Sequence, residues 1–122
     1  MNFKFVTIEV KDLEASLDFY TDIIKLKQQR RFEPREGVEI AFLEDEEGNQ
    51  LELIENHFIK EELDDRSSKV QINFDIENIE DTIKFINKQG LKLKDGPVEI
   101  PNGRFITLED PDGVRIGLFE SE

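Results

Sequence analysis

The fold is decided by a stretch that occurs twice, as FLEDEEGNQLELIE at residues 42–55 and as TLEDPDGVRIGLFE at residues 107–120. Each copy places an acidic, glycine-containing turn between two apolar segments, a pattern typical of a β-hairpin. The two turn glycines, Gly48 and Gly113, lie 65 residues apart. Further upstream, residues 6–20 correspond to residues 72–86 at a separation of 66. The sequence therefore predicts a duplicated structural unit.

Both copies predict the same order of elements: a strand, a helix and three further strands. Residues 3–10 alternate in polarity like a strand, and Asp12 is a good N-cap for the helical pattern that follows. In the second copy Asn78 has the capping role, and Gly90 suits the end of the helix. The remaining strands are expected at about 26–33, 38–44 and 50–55, and at about 91–94, 98–100 with 104–109, and 114–120.

The length of 122 residues predicts a single domain, since most domains have about 100–150 residues. Within it we expect a first module at residues 1–55 and a second at 70–122. Residues 56–69, rich in Glu, Asp and Ser, are interpreted as the connector between them.

Charge and composition exclude several classes of function. The formal net charge of −13 argues against nucleic acid and against an anionic membrane surface, because both require a basic protein surface. The absence of cysteine excludes disulfides and thiolate chemistry. The N-terminal residues offer no apolar signal-peptide segment, and no apolar run approaches the length of a membrane span, so a cytoplasmic protein is expected.

The segment VKDLEASLDFYTD at residues 10–22 resembles the opening strand and helix of the vicinal oxygen chelate superfamily. This superfamily includes glyoxalase I, bleomycin resistance proteins and extradiol dioxygenases. The stretches at residues 45–53 and 110–118 are similar to its recurring Asp-Pro-(Asp/Asn)-Gly hairpin. The resemblance covers the whole chain. It implies an α+β fold in which two βαβββ modules form an open barrel-like mixed sheet around a cavity.

The resemblance also locates the four metal-ligand positions of the superfamily's enzymes, where His, Glu or Gln is usual. In this chain they fall on Phe5, Glu52, Gln71 and Gly117. Only Glu52 is a typical ligand, and Gln71 is a weak one. Because a catalytic divalent ion requires three or more protein donors, we expect no metal site and no cofactor.

Strand alternation predicts which side chains face the cavity. If the apolar side chains of the first strand pack under the helix, their neighbours point to the opposite face. The same parity applies to the first strand of the second module and to the last strand of each. We take the ligand-binding residues to be Phe5, Thr7, Glu9, Glu52, Gln71, Asn73, Asp75, Arg115, Gly117 and Phe119.

Three other features each have two interpretations. His57, the only histidine, is either a general base or a solvated loop side chain. Arg30 and Arg31 either clamp an anion or balance the acidic surface. The acidic run at residues 44–47 is either a calcium site or a solvated turn, and the turn is favoured because the ligand spacing of a calcium loop is absent.

The resemblance and the polar cavity together favour a protein that binds a small ligand, as in the superfamily's antibiotic-sequestering branch. Excess acid on the predicted cavity face favours a cationic or aromatic ligand. The alternative is an enzyme of the same superfamily, a lyase, isomerase or dioxygenase with a displaced or absent metal site. A third possibility is a purely structural role. We also expect a homodimer, because exposed sheet edges are usually covered.

Overall fold

The first strand of the chain, β1 (Val6–Glu9), leads into helix α1 (Leu13–Asp18), which continues as a π-helical turn over Phe19–Ile23. Three strands follow: β2 (Lys27–Arg35), β3 (Val38–Glu44) and β4 (Gln50–Asn56). They form a mixed sheet in the order β1-β4-β3-β2, in which β1 is parallel to β4 and the other neighbours are antiparallel. This is the predicted β-α-β-β-β order.

A second set of elements repeats this arrangement. It consists of β5 (Gln71–Ile76), α2 (Ile79–Lys88), β6 (Asp95–Ile100), β7 (Gly103–Glu109) and β8 (Arg115–Ser121). The sheet order is β5-β8-β7-β6, again with the first strand parallel to the last. The repeat extends to the register, because Thr7 lies opposite Glu52 and Asn73 lies opposite Gly117. The duplication is confirmed.

The computed structural model describes residues 1–59 and 70–122. The chain divides into two compact units, Met1–Asp65 and Arg66–Glu122. Of the predicted connector, residues 60–69 lie outside the described part of the chain. Within that part, the eight strands form two separate four-stranded sheets, and neither sheet is closed into a barrel. None of the described helices is long and apolar enough to cross a membrane.

The repeated hairpins owe their shape to one aspartate each. The Asp45 carboxylate accepts the backbone N–H groups of Glu47 and Asn49 at 3.0 and 2.8 Å. Its pKa is lowered, chiefly by the hydrogen bond from the Asn49 side chain. In the second unit Asp110 accepts the equivalent backbone groups at 2.8 Å each. The acidic run at residues 44–47 therefore contains an Asx turn.

Both predicted helix caps are present. Asp12 accepts the Ala15 N–H at 3.2 Å, and Asn78 accepts the Asp81 N–H at 2.9 Å. Each helix packs its apolar stripe on one face of its own unit's sheet, and the buried core of the described residues includes Val10, Leu13, Tyr20, Leu43, Leu53, Ile79, Ile86, Ile106, Leu108 and Ile116.

The structure differs from the sequence-based expectations at four places. The strand expected at residues 91–94 begins instead at Asp95, and residues 98–100 and 104–109 belong to two different strands, β6 and β7. The first helix loses regular α-helical form after Asp18. Val6, expected beneath the helix, is 46% exposed because it lies at the start of an edge strand.

Candidate ligand-binding faces

One face of the first sheet carries a row of side chains that crosses all four strands. Thr7 pairs with Glu52, Glu52 with Phe42, and Phe42 with Arg30. Directly opposite residues on neighbouring strands point to the same side of a sheet. This row, Thr7–Glu52–Phe42–Arg30, therefore lies on the face opposite the helix, and we call it the first face.

Aromatic rings form the floor of the first face. Phe42 is almost fully buried, and its ring meets that of Phe5 edge to face at 5.0 Å. The Phe32 ring is nearly parallel to the Phe42 ring, and the centroids of these two rings are 6.4 Å apart. The Arg30 guanidinium lies over both rings, 4.3 Å from the Phe42 centroid and 5.3 Å from that of Phe32. A cation over the face of an aromatic ring is attracted by the electrons of the ring.

Polar groups complete the first face on its β1 side. The Thr7 hydroxyl donates to Oε1 of Glu52 at 2.7 Å. Glu9, two residues further along β1, is exposed. A carboxylate has about four acceptor sites, so Glu52 keeps acceptor capacity after the bond from Thr7.

The second unit presents a corresponding face, the second face, with different chemistry. Nε2 of Gln71 donates to Oδ1 of Asn73 at 2.7 Å. Beside this pair lies Gly117, where a Cβ would clash with Asn73 and lie 2.5 Å from Nε2 of Gln71 and 3.0 Å from the Phe119 ring. The two amide side chains therefore occupy the space that a side chain at position 117 would need.

An open concavity of about 280 Å³ lies on the second unit. Its lining combines ring and polar groups: Asn73, Phe74, Asp75, Phe119 and Ser121. The Phe119 ring stacks on that of Phe105, with centroids 5.0 Å apart. Arg115, opposite Gln71 in the register, is exposed. Aromatic surface beside a few polar groups is characteristic of small-molecule sites.

Thr107 is a buried polar residue on the second face. It lies opposite Gly117 in the register and is 3% exposed. Among the described residues, its hydroxyl oxygen is the one buried side-chain nitrogen or oxygen atom without a hydrogen-bond partner. Its counterpart in the first unit, 65 residues earlier, is Phe42, so the two faces differ at the centre of the sheet.

The four positions that the resemblance assigns to metal ligands do not fit a divalent ion. Phe5 has a hydrocarbon side chain packed on Phe42, and Gly117 has no side chain and no space for one. Glu52 and Gln71 together offer fewer donors than a catalytic metal requires. Within residues 1–59 and 70–122, no group of three or more His, Cys, Asp or Glu side chains is arranged to hold a metal.

His57 is located on the helix side of the first sheet. Its Nε2 lies 2.8 Å from Oε2 of Glu55, whose other oxygen accepts the Leu13 N–H at 2.7 Å. Arg31 lies on this side as well and pairs with Glu14 at 2.5 Å and Glu39 at 2.8 Å. Arg31 therefore balances acidic groups, and His57 supports the start of α1 rather than joining Glu52.

Nine of the ten sequence-predicted residues lie on β1, β4, β5 and β8, and Phe5 immediately precedes β1. From the middle strands, the sequence indicated only Arg30 and Arg31 as candidates for binding an anion. The predicted set of ligand-binding residues used only the first and last strand of each module. The side chains of the two faces outside that set are Arg30, which the sequence indicated only as a candidate anion clamp, and Phe32, Phe42, Phe105 and Thr107. In β3 the run Ile40-Ala41-Phe42-Leu43 is continuously apolar, so its pattern does not separate Phe42 from its neighbours on the opposite face. For β2 no simple signal existed, because register shifts between Gln28 and Arg30 interrupt its alternation.

Comparison with known proteins places this architecture in one family. A family model described as the Glyoxalase/Bleomycin resistance protein/Dioxygenase superfamily matches residues 2–118. The chain is 31% identical to the uncharacterized protein YwbC of Bacillus subtilis (strain 168) over 118 residues, 93% of this chain and 92% of that relative.

Solved structures show the same fold. A glyoxalase family protein from Bacillus cereus superposes with a TM-score of 0.85 at 22% identity, covering 99% of this chain and 94% of the other. The antibiotic-binding protein TnmS3 from Streptomyces sp. CB03234 gives a TM-score of 0.77 at 18% identity, covering 100% and 98%. The chain belongs to the Glyoxalase/Bleomycin resistance protein/Dioxygenase superfamily.

Proposed function

We propose that this protein binds a planar small molecule and acts by stoichiometric capture, without chemistry on the ligand. The supporting observation is that each unit places aromatic rings and polar groups on the same face of its sheet. Phe5 and Phe32 accompany Glu52 in the first unit, and Phe119 accompanies Asn73 in the second. Rings bind flat apolar groups, while carboxylate and amide groups fix their orientation.

We propose further that the ligand is aromatic or cationic, and an antibiotic is one candidate. Glu9, Glu52 and Asp75 lie on the strands that form the two faces, and the chain as a whole carries −13. These three carboxylates outnumber the arginines of the two faces, Arg30 and Arg115, and an excess of one charge concentrates ligands of the opposite sign. The structurally similar TnmS3 is an antibiotic-binding protein, which supports the same class of ligand.

The test is a fluorescence titration with 2-naphthylmethylammonium and with neutral 2-naphthamide at two salt concentrations. We expect the cation to bind more tightly, with affinity that falls as salt rises. Glu52→Gln should weaken cation binding, whereas Glu46→Gln removes the same charge from an exposed turn and should not. The proposal would be contradicted if neither probe bound, or if the preference for the cation changed neither with salt nor in the Glu52→Gln variant.

We infer that the protein has no resident divalent metal, because Phe5 and Gly117 replace two of the four ligands that the family uses. Purification without added metal, followed by elemental analysis, should find less than one equivalent of zinc, nickel, iron or manganese. A stoichiometric metal would instead favour the alternative, a metal-dependent enzyme of the same superfamily with displaced ligands.

A cytoplasmic homodimer is the proposed form of the protein. The absence of cysteine is consistent with a reducing compartment. Strands β2 and β6 are exposed along their whole length at the edges of their sheets, and Phe58 is 73% exposed. Such edges are usually covered in native proteins. Sedimentation should give twice the chain mass of 14.3 kDa at micromolar concentration, and a monomer would contradict this.

A further inference from the structure

The two consecutive arginines of β2 have opposite roles. Arg31 points to the helix side and pairs with Glu14 and Glu39. Arg30 points to the first face and lies over the rings of Phe32 and Phe42. Among the described residues, no carboxylate pairs with Arg30. Although the protein has 29 acidic residues, the Arg30 guanidinium therefore keeps N–H groups available for a ligand beside the aromatic rings.

The position of Arg30 over the two rings affects what it can bind. A guanidinium beside aromatic rings can still direct N–H groups to a ligand in its own plane. That planar fork matches the two oxygens of a carboxylate or similar anion. The exposed neighbour is Phe32, so an anion bound at Arg30 would be attached to a group that contacts a ring.

The opposite charge lies on the same row. Glu52 and Arg30 flank Phe42, one on each neighbouring strand. Adjacent strands are about 4.8 Å apart, so the two residues are separated by about 10 Å across the sheet. Among residues 1–59 and 70–122, the hydrogen bond to Glu52 comes from Thr7 through Oε1, and Oε2 remains for a ligand.

We propose that the first face binds a planar aromatic ligand that carries both signs of charge, with an anionic group at Arg30 and a cationic group at Glu52. This inference rests on the proposed function, since it presumes a ligand on this face, and adds the class of ligand. A purely cationic ligand leaves the Arg30 guanidinium without an anionic partner, whereas a ligand with both charges can pair with Arg30 and with Glu52.

The experiment uses two probes that differ at one end. The first is 6-(aminomethyl)-2-naphthoate, and the second is its 6-(aminomethyl)-2-naphthamide analogue, which keeps the ammonium and the ring but replaces the carboxylate with a neutral amide. Titration by naphthyl fluorescence gives both affinities. We expect the wild-type protein to prefer the carboxylate probe about tenfold, the typical effect of a charge-assisted hydrogen bond.

The variants assign that preference to one residue. Arg30→Gln should reduce the preference to near unity, and Arg30→Lys should retain part of it because the charge remains without the planar fork. Arg31→Gln is the matched control, since it removes the same charge from the adjacent residue on the opposite face, and it should leave the preference intact. Thermal melts confirm that each variant is folded.

The outcomes separate the two proposals. Equal binding of both probes by the wild-type protein, or a preference that survives Arg30→Gln, overturns the role of Arg30 and leaves ligand binding standing. Failure of both probes and of 2-naphthylmethylammonium to bind overturns the proposed function and this inference together.

Discussion

Glu55 and Glu120 occupy equivalent positions in the two units and anchor the two helices. Glu55 accepts the N–H of Leu13 and Glu120 accepts that of Ile79, each at 2.7 Å. A carboxylate at a helix N-terminus satisfies an otherwise unpaired donor and complements the helix dipole. Their side-chain partners differ, since Glu55 lies beside His57 and Glu120 pairs with Arg104, at 2.8 Å each.

Glu120 gives a prediction for acid stability. Its pKa is lowered, first by the N–H of Ile79 and then by Arg104. A lowered carboxylate pKa contributes stability above the ordinary carboxylate pKa, and that contribution is lost as the pH falls through the native-state value. Glu120→Gln should therefore be less stable than wild type near neutral pH, and the gap should close in acid. Urea melts across this range measure it, with Glu46→Gln as the control for charge loss.

Gly90 and Lys25 both have the left-handed backbone that ends a helix, with φ values of 78° and 71°. A Cβ at Gly90 would have no atom within 4 Å, so any cost of substitution there arises from the backbone alone. We expect Gly90→Ala to lower the free energy of unfolding by about 1–2 kcal/mol. Chemical denaturation checks this, and an unchanged midpoint would contradict it.

At the scale of elements, the two helices bury equivalent positions to different depths. Tyr20 and Ile86 are both fully buried, whereas Leu17 is 6% exposed and its counterpart Ile83 is only half-buried. The repeat predicts that Leu17 and Ile83 are both buried at equivalent helix positions, and Leu17 is buried whereas Ile83 is only half-buried. The duplication therefore preserves the pattern of the helix but not the packing around every residue.

This difference predicts unequal costs of truncation. Ile86→Ala and Leu17→Ala should each lower the free energy of unfolding by about 2–5 kcal/mol, the range for buried aliphatic side chains. Ile83→Ala should cost less than either, because part of its side chain already contacts solvent. Denaturant melts of the three variants give the order, and an equal or larger loss for Ile83→Ala would contradict the burial argument.

The elements themselves were largely predictable because their signals are local. The caps Asp12 and Asn78 and the hairpin aspartates Asp45 and Asp110 each bond to a backbone group within four residues. The faces were less predictable, because a side chain's direction depends on register over a whole strand. The register shift between Gln28 and Arg30 reverses side-chain parity in β2, so the sequence named Arg30 as a candidate anion clamp but did not predict its face.

The charge of the whole molecule gives a prediction about salt. A chain with 29 acidic and 16 basic residues repels itself when folded. Its exposed ion pairs, such as Lys94 with Glu109 at 2.6 Å, contribute little to stability. Raising NaCl toward about 1 M shortens the Debye length to about 3 Å, so the melting temperature should rise. A fall in melting temperature with salt would contradict the argument.

The parallel pairing of β1 with β4 affects when the first sheet can fold during synthesis on the ribosome. Because Thr7 lies beside Glu52, the strand made first has no partner until the last strand of its unit has been synthesised. Such distant pairings slow folding, since a long loop must close before they form. The first sheet nevertheless needs nothing beyond Asn56, its last strand residue. Its strands can therefore assemble while the second half of the protein is still being translated, as N-terminal units generally do.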